Sequence, residues 1–343
     1  MARRKSSRGR NKIQPAVQTM VFPLPIGEGQ SSYVDLSQVA SLMNRRFYRQ
    51  GINWAVAGIK ILTPSGTTGE VTISKLPNSW IMSNSWQKSF SAWTKMNNEA
   101  MQEAGSVRPK FLDFKIYADE GHHQSGYVNN LLPLSTAGIA APGEWESAKV
   151  FVPEAYNVVP GAGTDTMNTL ELIAVGASYP GVSPVSGLDA VSLIEGYAAS
   201  RALPSILADP NVPDDASDVA GPTPENWLSA IFNDGTTQVA DVIDELITEN
   251  NQAPYPYEND GINVDTMYPN GANQLSGLQI HDSAYLTSTT IGGSTHLKGG
   301  NFPCGLIKIS TNVTSPSGLT PILYVDLVPG NHRGYLCEPM TEM

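Results

Sequence analysis

Apolar and polar residues alternate along much of the chain, the pattern of strands that turn one face to a core and the other to water. The clearest case is FLDFKIYAD (111–119), where Leu112, Phe114, Ile116 and Ala118 point one way and Asp113 and Lys115 the other. In GEVTISKL (69–76) Val71 and Ile73 share a face. INWAVAGIKIL (Ile52–Leu62) is apolar at both parities and predicts a strand buried on both sides. TMVFPLPI (19–26) is broken by prolines, which suits a sheet edge, where a missing N–H costs no ladder bond. Further strands are predicted at 148–153, 169–177, 190–199, 305–313 and 321–329, giving roughly eight to ten in all.

Helical spacing occurs in three places. SLMNRRFYRQ (41–50) predicts a short helix carrying Arg45, Arg46 and Arg49. Within 83–105, Trp86, Phe90, Trp93, Asn97 and Met101 recur at spacings of three and four, and Gly105 is placed to stop the helix. Over 236–251, Val239, Val242, Ile243, Leu246 and Ile247 form an apolar stripe with acids opposite. Such stripes ordinarily pack on a sheet and bind no cofactor. The 31 glycines and 25 prolines are dispersed, and no repeat has a fixed period. The pattern therefore predicts a β framework with long connections and helical insertions at about 78–105 and 205–255, and neither a propeller nor a solenoid.

Charge changes this picture at one end. The chain has 21 Lys and Arg against 32 Asp and Glu, a net of −11, yet Arg3, Arg4, Lys5, Arg8, Arg10 and Lys12 crowd into the first twelve residues with no acid among them. Without them 15 cations face 32 acids, so the remaining 331 residues carry −17. A like-charged terminal block stays disordered and acts as a tail, here over 1–14, and its sign matches nucleic acid or an anionic membrane surface. The acidic body over 15–343 is not built to grip phosphate across its whole surface. Arg45, Arg46 and Arg49 follow the tail and interleave with Phe47 and Tyr48, which suits a nucleic-acid strand. The same three arginines equally suit a surface helix making salt bridges.

Targeting signals add little. KIQPAVQTMVFPLPIG is too interrupted by Pro15, Gln18, Pro23 and Pro25 for the roughly 7–15-residue apolar core of a secretion signal, and the serines and glycine of the tail make a poor presequence helix. A nuclear localisation signal fits a short Lys/Arg-rich run. No apolar run approaches the roughly 18 residues of a membrane span, so no membrane partner is expected.

No catalytic set emerges. There is no G-x-S-x-G elbow. Adjacent His122 and His123, read in an extended segment, point to opposite faces and lack the H-E-x-x-H spacing of a metal site. Asp209, Asp214, Asp215 and Asp218 are hard oxygen ligands of the kind calcium takes, but their spacing is not that of a calcium loop and the prolines between them read as an acidic solvated turn; calcium at a subunit contact stays open. PGAGTDT (160–166) has neither the lysine of a phosphate loop nor the third glycine of a dinucleotide fingerprint. Cys304 and Cys337 are too few for a disulfide framework and read as free thiols. Neither an enzyme nor a cofactor is expected.

A loose cationic tail on an acidic, strand-rich body has a mechanical meaning. If many copies close into a shell with tails inward, the tails neutralise phosphates held inside, by counterion release. The tail MARRKSSRGR and the closing stretch ILYVDLVPGNHRGYLCEPM (322–340) resemble capsid proteins of small circular single-stranded DNA viruses that encode a replication initiator. In circovirus-type capsids the tail is longer and richer in arginine. The resemblance implies an all-β single jelly-roll over 15–343, two antiparallel four-stranded sheets face to face with inserted helices and long loops. It also implies a homo-oligomeric icosahedral shell around a single-stranded DNA genome, with Arg3, Arg4, Lys5, Arg8, Arg10 and Lys12 on that genome. Location in the virion, and in the host nucleus during assembly, follows from the same resemblance, which names no host-cell receptor. Two other readings share the sequence: the capsid protein of a small RNA virus, and a secreted β-rich binding protein or glycan-active enzyme, for which paired carboxylates in a cleft are needed.

Overall fold

The computed structural model describes residues 15–101, 112–143, 145–153, 169–177, 185–194, 196–197, 277–288, 291–316 and 318–342. In chain order the framework begins with β1 (Thr19–Pro23), β2 (Gly27–Asp35), α1 (Leu36–Asn44), β3 (Ile52–Leu62) and β4 (Thr68–Lys75). There follow α2 (Trp80–Ala100), α3 (Glu120–Ser125), the two-residue strands β5 (Leu134–Ser135) and β6 (Gly138–Ile139), then β7 (Lys149–Pro153), β8 (Thr169–Val175) and β9 (Asp189–Ser192). The framework resumes with β10 (Gln279–Leu286), β11 (Ser294–Phe302), β12 (Leu306–Thr314) and β13 (Ile322–Leu327), and ends in β14 (Pro329–Gly330), β15 (Gly334–Tyr335) and β16 (Cys337–Pro339).

The protein is mostly β, and two antiparallel sheets carry it. One runs β1-β13-β3-β11, with β16 extending the β13 ladder along β3; the other runs β10-β4-β12-β2. The pairs are nested: β1 lies on β13, β2 on β12, β3 on β11 and β4 on β10. Between the innermost partners, residues 76–278 leave as one long connection carrying α2, α3 and a mixed sheet β7-β8-β9 in which β8 and β9 are parallel. At one side the two main sheets are tied by side chains: Asp282 accepts from the Lys298 N–H at 2.8 Å, and His281 Nε2 lies 3.0 Å from the Lys298 carbonyl.

The inward residues of both sheets make one core. Met20, Phe22, Ile59, Ile61, Leu323 and Val325 come from the first sheet and Val71, Ile73, Ile307, Ile309 and Val313 from the second, all buried. Burying side chains of this size contributes about 1.5–3 kcal/mol each. A second core lies under α2, where Trp86 and Trp93 meet Phe114, Val150, Leu172 and Ala174. The buried face of α2 is wider than its apolar stripe because Ser85 and Ser89 donate back to the carbonyls of Ile81 and Ser85, at 2.6 and 2.7 Å, and so enter the interior satisfied. The helix is docked by Trp93 Nε1 donating to the Lys149 carbonyl at 3.1 Å.

Several sequence expectations are corrected. β3 has the expected ends but is not buried on both sides: a bulge opposite Asp326/Leu327 leaves Ala57 unpaired with β13 and switches the inward set from Trp54 and Val56 to Ile59 and Ile61. The segment 112–116 is extended with Phe114 and Ile116 buried as expected, yet joins no ladder. A side chain takes much of the ladder's place, Gln50 accepting from Ile116 N–H at 2.6 Å and donating to its carbonyl at 3.0 Å, while the Lys115 carbonyl accepts from Ala148 N–H at 2.8 Å and Tyr117 makes a single bridge to Val175 of β8. The strand expected over 190–199 stops at Ser192, and Leu193 and Ile194 are helical. β2, β10 and β11 carry no clear alternation and were not foreseen. In β11, Gly299 approaches the carbonyls of Val56 and Ala57 too closely for any side chain. The first sheet has five strands with β16, and the small mixed sheet is additional. The helix over 236–251 and the insertion over 205–255 lie outside the described residues. Among the described residues no helix is long and apolar enough to cross a membrane.

Replacing Val325 by Asp puts a carboxylate between the sheets and is expected to abolish soluble, folded protein. Leu327→Ala should cost about 2–5 kcal/mol in denaturant unfolding; a loss below 1 kcal/mol would place Leu327 outside the core.

Candidate nucleic-acid interface

The first basic candidates, Arg3, Arg4, Lys5, Arg8, Arg10 and Lys12, lie outside the described residues, but the point where their segment joins the body is defined. There the backbone of Val17 is gripped on both sides. Its N–H donates to Asn44 Oδ1 at 2.9 Å, and its carbonyl accepts from the Tyr335 hydroxyl at 2.6 Å. Asn44 Nδ2 in turn donates to that hydroxyl at 2.7 Å, so the two side chains brace each other. Burial pushes the Tyr335 hydroxyl up to about 12, which keeps it protonated and donating at neutral pH.

Asn44 is available for this because α1 ends on it. Asp35 caps the other end, accepting from Ser37 N and Gln38 N at 2.8 and 3.3 Å. Arg45 then takes a left-handed conformation (φ 54°) that stops the helix. The expected helix over 41–50 is therefore displaced: it spans Leu36–Asn44, and Arg45, Arg46 and Arg49 sit on the irregular stretch leading into β3. All three are exposed. Arg46 donates to the Pro15 carbonyl at 3.2 Å, beside the gripped Val17. Arg49 donates to the Leu112 carbonyl at 3.2 Å, with its guanidinium 5.4 Å from the centre of the Phe47 ring.

A fourth arginine joins them from the far end of the chain. Arg333 has a left-handed backbone between β14 and β15, donates to the Phe47 carbonyl and receives the Tyr48 hydroxyl on its own carbonyl at 3.0 Å. The fold thus gathers Arg46, Arg49 and Arg333 around Phe47 at the root of the tail. Arg45 neighbours them in sequence. Arg333 was not foreseen, and its only signal was a cation in the Gly-flanked turn GNHRG, with nothing in spacing to link it to Arg49. Closely grouped exposed guanidiniums next to aromatic rings can hold phosphates and stack on bases.

The other candidates are structural. His122 and His123 lie on the short helix α3 rather than in an extended segment, and both are buried. His122 Nδ1 accepts from Ala118 N–H at 3.0 Å, which leaves the proton on Nε2 to be donated to Asn130 Oδ1 at 2.7 Å; the ring stacks on Tyr33 at 4.4 Å. Neither nitrogen is left for a metal. Among the described residues no three His, Cys, Asp or Glu side chains are grouped to hold an ion. Burial pushes the thiols of Cys304 and Cys337 up, the second to about 12, so neither is an activated nucleophile. Asp209, Asp214, Asp215, Asp218 and the turn at 160–166 lie outside the described residues. Comparison with protein-family models, curated proteins and solved structures finds no match.

Tyr335→Phe combined with Asn44→Ala removes the grip on Val17 and should speed limited proteolysis near residues 15–18 while the core stays folded; an unchanged digestion rate would show that the grip is dispensable. Burial also sets a pH response. It pushes His122 down to about 4, so the stability owed to its neutral ring is complete above about pH 6.5 and is lost as pH falls through 4. Asp113 has the opposite sign: burial raises it to about 6, and its contribution is lost as pH rises through that value. In denaturant unfolding, the advantage of wild type over His122→Gln should shrink from pH 7 to pH 4, whereas Asp113→Asn should gain on wild type as pH rises from 5 to 7.

Proposed function

We propose that the protein is a viral coat protein with a jelly-roll body, which self-assembles into an icosahedral shell and packages a single-stranded DNA genome through its N-terminal basic tail. The observation that carries this reading is the nested strand order. When eight strands pair first with eighth, second with seventh, third with sixth and fourth with fifth, the chain behaves as one antiparallel ribbon rolled into two facing sheets, and that double-sheet architecture recurs in viral capsids. The tail root supports it further, since the segment that follows the six cations of residues 1–12 meets Arg46 at Pro15, and Arg49 and Arg333 lie on the same arginine-bearing stretch or bond to it. The outer surface of the second sheet supports assembly: β10 holds Ile280 and Tyr285 largely exposed, apolar surface of the kind a neighbouring copy covers. The tail acts by counterion release and so binds without regard to sequence. The site of action is the virion, with the nucleus as the place of assembly.

Electron microscopy of the purified, concentrated full chain should show uniform closed particles, and their nucleic acid should yield to DNase but not RNase once released. Deleting residues 1–12 should leave particles that enclose less nucleic acid. A protein that stays monomeric at high concentration overturns the reading, and RNase-sensitive contents transfer it to an RNA virus.

A further inference from the structure

Beside the tail root a cavity of about 130 Å³ opens between the arginine-bearing stretch and α2. Phe47, Trp86 and Phe90 line it with aromatic surface, Asp113 lines it with a carboxyl, and Arg49 and Arg333 complete its border. Both arginines are exposed, whereas Trp86 is only 6% exposed and packs its ring on Phe90 at 4.8 Å, nearly parallel. Gly51 makes room for that ring, since a Cβ there would overlap it. The Trp86 indole N–H has no hydrogen-bond partner among the described residues.

The shape and chemistry specify a ligand. An enclosed apolar cavity of about 150 Å³ holds a benzene ring; this one is slightly smaller but open at its mouth, so it seats one planar ring in part and no more. Aromatic walls favour a ring that stacks, and two guanidiniums at the border favour an attached anion. Burial raises the Asp113 carboxyl to about 6, so at neutral pH it is mainly ionised and asks for a donor on the ring's edge. A nucleobase with its phosphate has all of these properties. We infer that this cavity takes one nucleotide of the packaged single strand, its base stacked against Phe47 and Trp86 and its phosphate on Arg49 and Arg333. The inference rests on the packaging reading above and deepens it, adding a base contact to a tail that binds charge alone.

Two ligands separate the terms: an oligodeoxythymidylate and an abasic deoxyribose-phosphate oligomer of equal length, titrated into the full chain at one fixed ionic strength. Wild type should bind the thymidylate about tenfold more tightly than the abasic oligomer, the scale of one stacked base. Phe47→Ala should erase that ratio. Trp86→Phe, which shortens the aromatic wall, should reduce it severalfold. Deleting residues 1–12 should weaken both oligomers and leave the ratio unchanged. Equal affinity of wild type for the two oligomers overturns the base site and leaves the tail reading intact, and failure to bind either one overturns both. Free thymidine monophosphate competing as well as the oligomer overturns the assignment to the packaged strand.

Discussion

The organisation of the tail root depends on one buried carboxylate. Asp35 ends β2, caps α1 through Ser37 and Gln38, and on its second oxygen accepts from Gln50 Nε2 at 3.2 Å and Trp145 Nε1 at 3.0 Å. Burial raises its pKa, and the donors around it offset that cost. Through them a single side chain joins the framework to the long connection between β4 and β10. It also brackets the arginine-bearing stretch: α1 is fixed at its start, which sets where Asn44 and Arg45 fall, and Gln50 is fixed at the end. Gln50 then holds Ile116, so the wall of the aromatic cavity is positioned from the same point.

What the sequence discloses follows from where backbone partners come from. β4, β12 and β13 could be read because one face of each meets the core, and alternation is the direct imprint of that burial. β1 could be read as an edge because Pro23 at its end and Pro25 just beyond suit an outer place. β2 and β11 were illegible because half of β2 is exposed and the glycines of β11 serve close backbone approach, which leaves no apolar signal. The segment around Phe114 has the imprint of a strand without being one, since alternation reports burial and is blind to whether a ladder or a glutamine satisfies the backbone. At the site, Arg45, Arg46 and Arg49 were legible as cations next to aromatics. Their departure from the helix was not, because it turns on a left-handed residue that is not glycine. Arg333 reaches them only through the pairing of distant strands, which no local pattern encodes.

The long connection is more than an ornament on the framework. It carries its own core under α2 and is sewn to the chain end, where Ser83 donates to the Met340 carbonyl at 2.6 Å. It also supplies Trp86 and Phe90 to the cavity whose other wall comes from the stretch before β3. Framework and insertion therefore share a site that neither forms alone.

The grip on Val17 has a consequence for how the molecule carries load. Any pull exerted on residues 1–14 passes the Arg46 contact at Pro15 and then meets a residue held at both its N–H and its carbonyl, from which it is handed by Asn44 to a helix and by Tyr335 to the packed aromatic cluster around Trp54. The β1 ladder behind it is spared until both bonds have parted. A tether fastened this way transmits tension into the interior of the body instead of unzipping its outermost strand.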